Sequence, residues 1–246
     1  MLRRWVAATA AALVLLACSA TAHYGNEIRK ARADTAALVQ SAAQKYGRRL
    51  TLQDVPQRWV DLLLRIEDPQ FFKHRGVDLA TPGAGMTTIT QGLVKLLFIP
   101  DGFQPGIAKI RQTLIAEYAL DALVSKHDQL ELYLNMTYFG SVSDQPINGL
   151  ATAAEAYFQK PFRALTDDEF IALIGMTISP NDLKPGTLRA TTRVARIKRV
   201  LAGEVAPASL LDVQYVGLQR GSMAEEALLS FLRLVTHANP STQGRT

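Results

Sequence analysis

From residue 55 onward, apolar side chains recur every three or four positions. Val55, Trp59, Leu62, Leu63 and Ile66 share one helix face, Pro56 suits the first turn, and Glu67 falls at the C-terminal end. The same spacing predicts helices over 107–124 and 129–138. An Ala-rich helix follows over 150–158, and Thr166-Asp167-Asp168-Glu169 before an apolar run reads as a capping box opening another. A basic helix over 189–201 and an amphipathic one over 224–237 complete the series. Gly and Pro break the pattern in between. Pro82, Gly83 and Gly85 precede the hydroxyls of Thr87, Thr88 and Thr90, which lead into an apolar helix through Leu93, Leu96 and Leu97. Asp101-Gly102-Phe103-Gln104-Pro105-Gly106 punctuates the next approach, and Pro180 and Pro185 rule out one regular element over 175–186. Alternating strand patterns are absent, so the expected fold class is mainly α, with short extended pieces at the Gly-rich turns.

The N-terminus has a different pattern. Met1-Leu2-Arg3-Arg4 and an apolar run to Ala17 have the form of an export signal, and the run alone is short for a membrane span. The only cysteine, Cys18, closes Leu15-Leu16-Ala17-Cys18, which resembles a lipobox; cleavage after Ala22 and an uncleaved anchor are the alternatives. Segment 1–22 is therefore expected to be a signal peptide or membrane anchor, and 23–54 a helical surface or stalk segment.

Composition narrows little. A hydrophobic content of 48% in 246 residues is that of a packed globular chain, and the net charge of +5 permits an anionic membrane surface or a polyanionic substrate. The chain lacks repeats, phosphate-loop and dinucleotide glycine fingerprints, and paired Cys or His at metal-ligand spacing. Nucleic acid is not an expected partner.

Candidate chemistry concentrates in Glu67-Asp68-Pro69-Gln70-Phe71-Phe72-Lys73-His74-Arg75-Gly76-Val77-Asp78, where two carboxylates adjoin an aromatic pair and a cationic cluster. A Glu held against aromatic surface loses hydration and becomes a usable proton acceptor or donor near neutral pH. The alternative is a solvated helix end whose cations complement the dipole.

Downstream motifs bear on that choice. The Glu67 run resembles the E-D-x-x-F-x-x-H-x-G-x-D signature of the family 51 glycosyltransferases, the peptidoglycan transglycosylases that polymerise lipid II. Residues 85–95, Gly85-Met86-Thr87-Thr88-Ile89-Thr90-Gln91-Gly92-Leu93-Val94-Lys95, resemble their G-x-S-T-I-T-Q-Q-x-x-K motif. Ser125-Lys126 with Leu130-Glu131-Leu132-Tyr133-Leu134-Asn135, and Ala153-Ala154-Glu155-Ala156-Tyr157-Phe158-Gln159-Lys160, are similar to two further blocks in the family's order.

The resemblance implies a lysozyme-like helical domain over 55–201 on the outer face of the cytoplasmic membrane, followed by a helical extension over 202–246 of unassigned role. It implies lipid II and the growing glycan strand as substrates, the membrane surface as a partner, and other cell-wall synthesis proteins as candidate partners. Glu67 takes the general-base role. Lys95 and Lys109 match basic positions that face the leaving diphosphate, and Arg111 has the reach to join them. Asp68, Phe72, His74, Thr87, Thr88, Thr90, Gln91 and Asn135 complete the candidate substrate-binding set. For several of these a structural role is the alternative: capping for the threonines, snorkelling for Lys95, loop orientation for His74 and hydrogen bonding for Asn135.

Three departures stand out. Only eight residues separate Gly76 from Gly85, where the family carries a longer connection with a basic residue. Gly92 replaces a Gln. Thr113 occupies the family's second acidic position, so assistance by a divalent metal (Mg or Mn) loses its expected ligand; Glu117, four residues on, is the candidate replacement with a catalytic role. A lysozyme-like hydrolase and a catalytically weak lipid II or glycan-binding protein are the alternative functions.

Overall fold

The computed structural model describes residues 1–99, 102–103, 106–218 and 221–238. Asp101, Gln104 and Pro105 of the punctuation before residue 107, and the chain beyond residue 238, lie outside the described residues. The chain is 63% helical with one small two-stranded sheet, as the apolar periodicity requires.

Helix α1 (Leu2–Tyr46) joins the expected signal and stalk segments without interruption. It is the one helix among the described residues that is long and apolar enough to cross a membrane, by length and composition. Its second half is not a free stalk. Ala31, Thr35 and Ala42 are buried against the domain, and Arg32 donates to the carbonyl of Tyr118 at 2.6 Å.

Helix α2 (Gln57–Glu67) packs on α8 (Asp167–Met176) through Trp59. The Trp59 ring stacks on Phe170 with centroids 4.8 Å apart and donates its N–H to Asp167 at 2.6 Å, which satisfies the one polar atom of a 1% exposed side chain. Helix α3 (Ile89–Phe98) is the central element, with Leu93 and Val94 fully buried. Helix α4 (Ile107–Ile115) runs into a π-helical turn (Ala116–Leu120) and the short α5 (Asp121–Leu123). Gly76 explains why the first motif can lie against that turn: at φ +80°, a Cβ there would meet the carbonyl oxygen of Ala116 at 2.6 Å.

Helix α6 (Lys126–Met136) leads to a hairpin of β1 (Tyr138–Val142) and β2 (Gln145–Asn148), antiparallel with Val142 opposite Gln145. Ser143 and Asp144, with φ of 49° and 61°, form its two-residue turn. Helices α7 (Leu150–Phe158), α8, α9 (Leu188–Leu201) and α10 (Met223–Val235) follow the predicted pattern, with Thr166 capping α8 in the expected box. The described part of 202–246 is no detached extension: Leu210, Tyr215, Leu229 and Leu232 belong to the same hydrophobic core as α2 and α3.

Candidate active site

Glu67 closes α2 and lines a cleft of about 320 Å³ together with Gly83, Gly85, Thr87, Thr177 and Arg193. Its Oε2 accepts from the Tyr133 hydroxyl at 3.0 Å and its Oε1 from the Thr177 hydroxyl at 2.7 Å. Burial pushes the carboxyl's pKa up, while these two hydrogen bonds and the charge of Arg193 pull it down. The result is an oriented acid whose proton affinity is raised by its surroundings. A larger hollow of about 780 Å³ between α1 and α6 lacks such a group. Of the acids on its wall, Asp128 bonds to Ser125 and Glu131 accepts from the backbone N–H of Leu52.

The first and second motifs are tied together behind the cleft. Asp68 is 1% exposed; its two oxygens lie 2.9 and 3.0 Å from Nε2 of His74, and one also accepts from the N–H of Ile89 at 3.0 Å. The anion at the N-terminus of α3 is therefore the protein's own carboxylate. Thr88 caps α3 by accepting from Gln91 N–H, while its hydroxyl donates to the carbonyl of Gly76 at 2.7 Å. Thr90 donates to Gln129 at 2.6 Å, and the Gln91 side chain donates to Thr113 at 2.9 Å. Asp68, His74, Thr88, Thr90 and Gln91 are all buried, so they position the loop and do not face the cleft opening. Asn135 is likewise internal: it bonds the backbone N–H and carbonyl of Leu50 and the carbonyl of Glu131.

Of the candidate binding set, Thr87 lines the cleft and Lys109 is bonded to it. Lys109 is 6% exposed and donates to the Thr87 hydroxyl and to Gln112, each at 3.0 Å. Burial and the neighbouring positive charge of Lys95 push its pKa down to about 7. Lys95 is exposed and stands 5.7 Å over the Phe103 ring. Phe72 is 49% exposed beside His127, with ring centroids 5.5 Å apart.

Two candidates are drawn elsewhere. Arg111 donates to Glu27 of α1 at 2.7 Å. Glu117 accepts from the backbone N–H and ring Nδ1 of His237, because the π turn starting at Ala116 breaks the α-helical register on which a shared face with Thr113 depends. Thr113 itself is fully buried and accepts from Gln91. The family's second acidic position thus offers a bonded hydroxyl, and among the described residues there is no group of three or more His, Cys, Asp or Glu side chains that could hold a metal ion.

Periodicity did not reveal Thr177 and Arg193, which reach the cleft from beyond α8 and from α9. A signal for the second existed: Arg193 is a charged side chain on the buried face of a basic helix, in step with Ala190 and Ile197.

A family model described as Transglycosylase matches residues 34–204, more than half of the chain. The chain is 32% identical over 164 residues to penicillin-binding protein 1B of Buchnera aphidicola subsp. Acyrthosiphon pisum, covering 61% of this chain and 21% of that protein. It is 33% identical over 147 residues to penicillin-binding protein 1A of Haemophilus influenzae (54% and 16%), and 34% identical over 134 residues to penicillin-binding protein 1B of Escherichia coli (49% and 16%). The aligned chain spans about a sixth to a fifth of the length of these curated relatives. With its ordered motifs gathered around one oriented glutamate, the chain belongs to the transglycosylase family, the family 51 glycosyltransferases.

Proposed function

We propose that this protein is a peptidoglycan glycosyltransferase that extends glycan strands from lipid II at a membrane surface, with Glu67 as general base. The observation that carries the reading is the carboxyl of Glu67, dehydrated, hydrogen-bonded by Tyr133 and Thr177, and open to a cleft whose other rim carries Thr87, with Lys109 bonded behind it. In the reaction the 4-hydroxyl oxygen of the acceptor sugar forms a bond to the anomeric carbon of the donor. The bond from that carbon to the phosphate oxygen breaks, and the diphosphate leaves with the electron pair. Glu67 takes the hydroxyl proton. A base whose carboxyl is raised toward neutrality by burial suits that step, since proton transfer is most effective when the base's pKa lies near the working pH.

Lys109 would meet the developing charge on the diphosphate. Its pKa of about 7 means that an arriving anion draws a proton onto it, so the cation forms where it is needed. The apolar length of α1 supports anchoring in a membrane. A hydrolase of the two-carboxylate kind needs a second acid in the cleft. Asp68 is bonded to His74 and Ile89, and Asp78 is fully buried and accepts from the N–H groups of Ala80 and Thr81, so neither supports it.

The test is incubation of the full chain in detergent with labelled lipid II. Polymer from the wild type and none from Glu67→Gln, with lipid II binding retained, is the expected result. A Glu67→Gln protein that polymerises at the wild-type rate overturns the base assignment.

A further inference from the structure

Arg193 lies on α9 and is 4% exposed. Dehydrating a guanidinium is costly unless the fold supplies specific partners for it. Here they come from one place. Its Nη1 donates to the carbonyl of Val213 at 2.6 Å, and its guanidinium carbon stands 4.7 Å over the Tyr215 ring. Its Nε is buried without a hydrogen-bond partner, so the clamp leaves the charge incompletely satisfied.

The clamp belongs to the chain after α9, which folds back onto the short loop between the first two motifs. Gly83 N–H donates to the Ser209 carbonyl at 2.8 Å and Gly85 N–H to that of Leu210 at 2.9 Å. A Cβ on Gly83 would meet Pro207 at 2.7 Å, and one on Gly85 would meet Val213 at 2.7 Å, so glycine is required at both contacts. Buried Asp212 accepts from the N–H groups of Ala208, Val216 and Gly217 and so fixes the turn that presents Val213 and Tyr215. Arg193, Val213 and Glu67 all line the one cleft.

The groups facing Glu67 come from every side. Tyr133 arrives from α6, Thr177 from the end of α8, Asp68 from the next residue, Arg193 from α9 and Tyr215 from the returning segment. Arg193 is the cation among them. Asp68 favours a neutral neighbour and the phenols are neutral themselves, so beside the hydrogen bonds from Thr177 and Tyr133 the positive field that opposes the effect of burial on Glu67 comes from Arg193.

We propose that Arg193, clamped by Val213 and Tyr215, is a positioning residue for Glu67: its charge favours the carboxylate form of the base at the cleft, and the segment over 206–217 is the wall that fixes it there. The inference rests on Glu67 being the base, but it makes a claim about the carboxyl that can be read without turnover.

The full chain, labelled with carboxyl-13C glutamate and held in detergent micelles, gives one readout by NMR, with the Glu67 resonance assigned from Glu67→Gln. The second readout is the pH profile of lipid II consumption. In Arg193→Gln, Glu67 should titrate at higher pH than in the wild type, and the acid limb of the rate should move the same way. Activity then falls roughly three- to tenfold on the acid side and little on the alkaline side, as loss of one nearby opposite charge predicts. Arg193→Lys, which keeps the charge, should restore most of the profile. Tyr215→Leu, which loosens the clamp and leaves the charge, should shift the titration in the same direction by less, and serves if Arg193→Gln does not fold. Unchanged Glu67 titration in the folded variants overturns the proposal, as does a loss of rate that is equal at every pH. A wild type that titrates as described but makes no polymer counts against the proposed function and leaves the Arg193 inference standing.

Discussion

Replacing Lys109 by methionine should stabilise the fold at neutral pH while removing the cation beside Thr87. The ammonium is 6% exposed, close to Lys95, and titrates at about 7 where an ordinary lysine titrates at 10.5. With the folded pKa below the unfolded one, the unfolded chain takes the proton first as the pH falls. The cost to folding therefore grows from pH 10.5 down to about 7 and is constant below. At 1.36 kcal/mol per unit this amounts to about 4 kcal/mol at pH 7. Methionine fills a similar volume without the charge. Losing the donor to Thr87 and to buried Gln112 takes back about 1–3 kcal/mol, which leaves a net gain of about 1–3 kcal/mol. Urea unfolding of the full chain in micelles, followed by the fluorescence of buried Trp59 at neutral and at strongly alkaline pH, reads the difference. The variant should be the more stable at pH 7 and the less stable once lysine is neutral in both states. An equal difference at both pH values, or a loss at pH 7, would refute the reasoning that Lys109 is held against its hydration.

Glu67→Gln should also raise stability at neutral pH, because a carboxyl with a raised folded pKa costs stability once the unfolded chain is ionised. That gain should shrink as the pH falls through the ordinary carboxylate range, as read by the same unfolding series. Asn135→Ala should lower stability by about 2–4 kcal/mol through its lost bonds to Leu50 and Glu131, with the KM for lipid II unchanged; a raised KM at normal stability points to substrate contact instead. Gly92→Ala should stabilise by about 0.5–1 kcal/mol, since a Cβ there meets nothing within 4 Å in the interior of α3; a lower melting temperature counts against it.

The candidate site was legible wherever chemistry is local. The hydroxyl run before Leu93 is a helix start, and Thr88 is its cap. Glu67 at the end of a face marked by Trp59 and Leu63 is where α2 terminates. What spacing could not tell was which polar groups turn inward to one another. Asp68 and His74 read alike as ligands or as scaffold until the fold brings Ile89 N–H to Asp68 and makes them a tie between two motifs. Glu117 reads as a neighbour of Thr113 only on an uninterrupted α-helix, and the π turn from Ala116 interrupts it.

By itself the sequence determined the mainly helical class and the order of the main helices, though it read α4, the π turn and α5 as one helix and left out the β1–β2 hairpin, and it singled out Glu67 as the candidate base. Each of these depends on periodicity, caps and motif order over short stretches of chain. Only the tertiary structure decided that the residues after α9 complete the cleft, that Arg193 stands with Glu67, and that Lys109 is dehydrated. The first two bring together groups more than a hundred residues apart and the third depends on burial beside Lys95, and in each case the energy of a charge is set by the neighbours that replace its water.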